Sequence, residues 1–98
     1  VEEVSKFKKG DGGKSRPDLI PAAFLLMVGD VFAHGAKTYG EYNWESCDDP
    51  KRYLAAAFRH LLAYSSGEDT DPDSGLAHLG HCASSLAILW ELEKRKKT

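Results

Sequence analysis

Between Gly75 and Trp90 the chain carries no charged residue other than histidine. A helix on the surface of a small domain normally shows lysine and glutamate on its outer face, so a stretch this long without them must be enclosed, by its own bundle or by a neighbouring subunit. Helical spacing runs through it. Leu76, Leu79, Ala83, Leu86, Ala87 and Trp90 form one apolar face, while Ser74, His78, His81 and Ser85, at steps of four, three and four, form a second stripe. Enclosed polar groups need partners. The segment therefore predicts a third helix, capped by Asp71, Asp73 or Ser74 and running to about Lys94, with a ligand site along its polar stripe.

Two further helices precede it. Pro21 suits a first helical position, and Phe24, Leu25, Val28, Val31 and Phe32 recur at helical spacing up to a stop between Gly35 and Gly40, with Asp30, His34 and Lys37 opposite. Asp49 as N-cap and Pro50 in the first turn start another helix that runs to about Ser65. Its buried arc is Tyr53, Leu54, Ala57, Phe58, Leu61, Leu62 and Tyr64; Arg52 and Arg59 face away and His60 sits on the border. Period-two alternation is nowhere sustained. The expected fold is all-α: a single domain over residues 1–98, a small helical bundle of three main helices with an irregular, glycine-rich arm at residues 1–18. Ninety-eight residues supply little core, so oligomerisation is expected to complete it.

Charge and cysteine usage narrow the function. A net charge of -2 argues against a nucleic-acid polymer as partner, although the tail "EKRKKT" is locally basic and suits the end of a helix. Cys47 and Cys82 fit no metal or redox spacing and read as reduced thiols. The longest apolar run, "AAFLLMV", is too short for a bilayer, and no leader pattern is evident, so a soluble intracellular protein without membrane contact is expected.

The segment "GEDTDPDSGLAHLGH", Gly67 to His81, concentrates the candidate chemistry. An EF-hand is excluded. Counting from Asp69, the sixth position is Ser74 instead of glycine and the twelfth is Gly80 instead of glutamate. A metal would draw on His78 and His81 with Glu68 or Asp71, with or without His60, as a mixed nitrogen and oxygen set. A phosphorylated ligand would meet Ser74 and Gly75, with charge from Arg59, Lys37, Lys14 or Arg16. A base would stack on Tyr39, Tyr42, Trp44 or Tyr53. "GGKS" lacks the first glycine and the preceding strand of a phosphate loop, and Cys47 has no positioned base.

Three blocks carry a family resemblance: "DGGKSRPDLIP", "GAKTYGEYNW" and "RYLAAAFRHLLAYSSGEDTDPDSGLAHLGHCASSLAIL". Together they resemble the phage dATP/dGTP diphosphohydrolase N-terminal domain family from about Lys9 to Leu89. The resemblance implies an all-α fold of the MazG-like pyrophosphohydrolase kind, usually oligomeric and placed in the cytoplasm of the infected bacterial host. It also implies a purine deoxynucleotide substrate and Mg2+ or Mn2+ as cofactor. In that setting Glu68 and Asp71 are the candidate catalytic residues. Glu68, Asp71, His78 and His81 are the candidate metal ligands. Lys14, Arg16, Lys37, Tyr39, Asn43, Trp44, Arg59, His60, Ser74, His78 and His81 are the candidate nucleotide contacts.

The chain departs from the MazG-like pattern in one respect. Those enzymes carry paired acids on two successive helices, whereas no acid occurs between Lys51 and Ser66 or between Gly75 and Trp90. A second reading follows, in which the domain needs no metal and sequesters a cyclic dinucleotide immune signal without cutting it.

Overall fold

The computed structural model describes residues 6–97. Three helices organise it: α1, Ala22–Tyr39; α2, Lys51–Ser65; and α3, His78–Lys96. Short 3-10 turns at Pro17–Leu19 and Asn43–Ser46 punctuate the connections, and no strand occurs among the described residues. The all-α reading holds. The first five residues of the expected arm lie outside the described residues, and those from Lys6 to Arg16 form no regular element. Among the described residues no helix is long and apolar enough to cross a membrane.

Local chemistry accounts for the helix ends. Pro21 occupies the N-cap of α1, where its missing N–H costs nothing, and Gly40 closes the helix at φ 98°, in the left-handed region that favours glycine. The N–H of Lys51 donates to Asp49 Oδ1 at 3.2 Å, so Asp49 caps α2 as expected, with Pro50 behind it.

Helix α3 starts later than the sequence suggests. The segment from Asp71 to Ala77 is a compact turn: Asp73 N–H donates to Asp71 Oδ1 at 2.9 Å, Gly75 N–H donates to the Asp71 carbonyl at 2.8 Å, and Asp71 N–H donates to the Leu76 carbonyl at 2.9 Å. Gly75 has φ 75°, and Thr70 pairs with Ala77 in an isolated antiparallel bridge. The aspartates and Ser74 that look like helix caps are spent on this turn, so the helix begins only at His78.

Packing also inverts the expected faces. Both α1 and α2 pack on α3. The buried positions of α3 are His78, Gly80, Cys82, Ser84, Ser85, Ile88 and Leu92, whereas Leu86 and Trp90 of the expected apolar face are 46% and 72% exposed. The same happens on α2: Ala57 is buried, while Leu54, Phe58, Leu61, Leu62 and Tyr64 are exposed. On α1, Val31 is buried and Phe24 and Leu25 are exposed. Small side chains let the helices of one chain approach closely, and the large ones are left for the outside.

Gly80 marks the closest approach. A Cβ built there would lie 3.1 Å from Val31 Cγ2 and 3.2 Å from Met27 Cγ, both on α1. Gly80→Val is therefore expected to push α1 off α3 and destabilise the fold by about 1–3 kcal/mol, read as a lower urea midpoint.

Candidate functional site

Helix α2 and the start of α3 bring three histidines together. His60 Nδ1 lies 2.9 Å from His78 Nδ1, and the His60 and His81 rings stack with centroids 4.5 Å apart and planes at 12°. The preceding turn adds the acids. His78 Nε2 donates to Glu68 Oε1 at 2.6 Å, and His81 Nε2 lies 3.7 Å from Asp71 Oδ2. Ser74 Oγ sits 2.7 Å from His81 Nε2 and accepts the N–H of Leu76 at 3.1 Å. The turn that delays α3 thus also places Asp71 and Ser74 against its second histidine.

Burial is uneven across the cluster. His78 and His81 expose 6% and 14% of their side chains and Asp71 16%, but Glu68 exposes 54%. One ligand atom each from His60, Asp71 and His81 falls within 4.8 Å of the others, an arrangement able to hold a cation. Glu68 and His78 are bonded to each other and stand outside this triplet.

His60 and His81 favour the neutral form. Burial, foremost, and then His81 push the His60 pKa below its ordinary 6.5, with Asp71 opposing. Burial is also the main cause that lowers His81; Asp71 again opposes, and His34 and His78 add to the lowering. A histidine with a depressed folded pKa takes up protons more readily when unfolded. Its contribution to stability is fully present above the unfolded pKa, about 6.5, and is lost as pH falls from there towards the folded value. The thermal midpoint is expected to fall between about pH 7.5 and pH 5.5, and to fall less in a His60→Gln, His81→Gln variant. An equal fall in both proteins would remove these two groups as the cause.

One cleft reaches the cluster at His81, and a second shares part of its lining. The first, of about 230 Å³, runs between α1 and α3 and is lined by His34, Tyr39, Tyr42, Trp44, Tyr53 and His81, among others. The other, of about 780 Å³, is lined by Arg52, Arg59 and Asp48 and shares Tyr39, Asn43 and Tyr53 with the first. Trp44 is held in place from the far side: Arg95 stacks over its ring at 5.1 Å and bonds Glu45 at 2.7 Å. This clamp fastens the loop after α1 onto α3.

Of the residues expected to contact a nucleotide, Tyr39, Asn43, Trp44, Arg59 and His81 line these clefts, and His60, Ser74 and His78 belong to the adjoining cluster. Lys14, Arg16 and Lys37 line neither cleft. Arg16 instead pairs with Asp18 at 2.8 Å in the arm. Sequence reasoning missed Arg52 and His34, both assigned to outward faces. The signal for Arg52 was its spacing from Arg59, seven residues or about two turns on one side of α2.

Over residues 4–98 the chain matches the family described as dATP/dGTP diphosphohydrolase, N-terminal. A dATP/dGTP diphosphohydrolase of Salmonella phage PMBT28 is 39% identical over 88 residues, covering 89% of this chain and 30% of that protein. The chain thus spans less than a third of that relative's length. No solved structure matches.

Proposed function

The chain belongs to the dATP/dGTP diphosphohydrolase N-terminal family, and from that premise we propose that it binds a purine deoxynucleoside triphosphate in the joined clefts and takes part in its hydrolysis, in the cytoplasm of a phage-infected bacterium. The observation that carries this reading is the junction itself. An aromatic cleft floored by His81 continues, through Tyr39, Asn43 and Tyr53, into a cavity bearing Arg52 and Arg59. The base stacks among the tyrosines and Trp44, and the arginines take the phosphates. Water attacks the α-phosphorus, the α–β bridging bond breaks, and the products are a deoxynucleoside monophosphate and pyrophosphate.

Asp71 is the carboxylate best placed to accept the proton of that water, being largely enclosed beside His81. Glu68 acts through His78, to which it is bonded. Magnesium, the ion that carboxylate-rich relatives would use, does not suit this site. Mg2+ demands near-octahedral oxygen ligands, whereas the triplet here offers two imidazole nitrogens and one carboxylate.

A second copy of the chain completes the fold in this reading, because the described residues include no large side chain that is fully buried. The radius of gyration is 17.9 Å, against about 13 Å for a compact domain of about 100 residues.

Incubation with dATP or dGTP, with and without Mn2+, tests the activity. Monophosphate and pyrophosphate in equal amounts support it. The absence of acids along the middle of α2 and α3 favours one competing reading, capture of a cyclic dinucleotide without cleavage. Recovery of such a nucleotide intact, and only after denaturation, would replace hydrolysis with sequestration.

A further inference from the structure

We propose that His60, Asp71 and His81 bind a divalent first-row transition ion, and that Glu68 and His78 orient His60 and do not ligate the ion. The inference uses the site of the proposed function but does not depend on hydrolysis.

Distance is the first argument. Two ligands each about 2.1 Å from an ion in tetrahedral geometry sit about 3.4 Å apart. His81 Nε2 and Asp71 Oδ2 are 3.7 Å apart, and the ligand atom of His60 is within 4.8 Å of both, so a contraction of at most about 1.4 Å closes the triplet on one ion. The three residues come from α2, the loop and α3, and the ion would tie those elements together.

Proton placement is the second. A carboxylate can only accept, so Glu68 Oε1 takes the Nε2–H of His78. A neutral His78 then has its lone pair on Nδ1, and the 2.9 Å contact requires His60 Nδ1 to donate to it. That leaves the lone pair of His60 on Nε2, free to ligate. The chain from Glu68 through His78 to His60 is the carboxylate–histidine support that metal-bound imidazoles use to fix ring and tautomer, here lengthened by one ring. Ser74 Oγ, 2.7 Å from His81 Nε2, occupies that lone pair and would give it up to an ion.

Donor chemistry sets the class of ion. Two imidazoles and one carboxylate suit borderline ions, and affinity should follow the order Mg2+ far below Mn2+ and Mn2+ below Zn2+. Three protein ligands leave at least one coordination position open, and of the three His81 also lines the aromatic cleft.

Calorimetry on chelator-stripped protein, without nucleotide, provides the test. The expected result is one Zn2+ per chain, weaker Mn2+ uptake and no saturable Mg2+ binding. Glu68→Gln should keep that stoichiometry and weaken Zn2+ about 10–100-fold, the range for loss of an outer carboxylate. His60→Ala or Asp71→Asn should abolish uptake with helix content retained. A measurement on the unmutated protein guards against variants that fail to fold: the visible spectrum of the Co2+ form should show nitrogen and oxygen ligation, without the intense near-ultraviolet band of a cysteine thiolate. Equal affinity for Mg2+ and Zn2+, a thiolate band, or unchanged uptake in folded His60→Ala would overturn the proposal. An ion bound as described, with no nucleotide turnover, would sink only the hydrolysis reading.

Discussion

His81→Ala is expected to lower nucleotide turnover by at least about 100-fold and to weaken dATP binding at least tenfold, a loss of about 1.4 kcal/mol or more in affinity. Three contacts vanish together. The ring stacks on His60 at 4.5 Å, accepts from Ser74 at 2.7 Å and faces Asp71 at 3.7 Å, while its edge floors the aromatic cleft. Removing it frees Ser74 and leaves Asp71 without its neighbouring imidazole, so the carboxylate that takes the water's proton loses its fixed partner. Single-turnover release of monophosphate, with titration of a fluorescent dATP analogue, measures both effects, and circular dichroism checks the helices. Ser74→Ala, which removes only the orienting hydroxyl, should cost far less. Turnover within threefold of the unmutated protein in folded His81→Ala would remove the histidine cluster from the reaction.

The histidines were legible because helical spacing survives any choice of which face is buried. His78 and His81 stand three apart on α3, and His60 stood on the border of α2. What connects them was not legible, since it depends on the turn from Asp71 to Ala77. Asp71, Asp73 and Ser74 are cap residues by composition, and nothing local says that Gly75 will adopt a positive φ and fold the segment back on itself. That turn, more than the helix, places Asp71 and Ser74 on His81.

The faces of the helices were misread for a different reason. A wheel assumes that the largest apolar side chains point into the chain's own core. In this chain Gly80, Cys82, Ser84 and Ser85 lie at the interior beside Ile88 and Leu92 because small residues permit close helix contact, and Leu86 and Trp90 remain outside. Arg52 and His34 were misplaced by the same assumption, each being assigned to an outer face that in fact borders a cleft. The inference from Gly75 to Trp90, that the stretch is enclosed, is met by the chain's own packing at His78, Cys82, Ser85 and Ile88. At Leu86 and Trp90 it is not, since both side chains are exposed.

Phe58→Asp combined with Leu61→Asp is expected to convert an oligomer into a monomer, raising the dissociation constant at least about 100-fold. Phe58 and Leu61 are 57% and 46% exposed on α2, three residues apart, so they share a side of the helix away from the chain's own packing. Fully burying one such side chain is worth about 1.5–3 kcal/mol, and about half of each remains exposed here, so the two in one subunit supply about 1.5–3 kcal/mol, about one to two decades in affinity. In a twofold interface each substitution acts on both subunits, which raises the effect further. Each side chain is about half exposed, so circular dichroism on the variant checks that the fold survives, and neither residue lines the two clefts. Sedimentation equilibrium across a concentration series distinguishes the states, and loss of helix on dilution would show that folding and assembly are coupled. A variant with the mass of the unmutated oligomer would move the interface away from this side of α2. An unmutated chain that stays monomeric and unfolds cooperatively would show that one chain's small-residue core is sufficient, against the expectation from 98 residues whose leucines point outward.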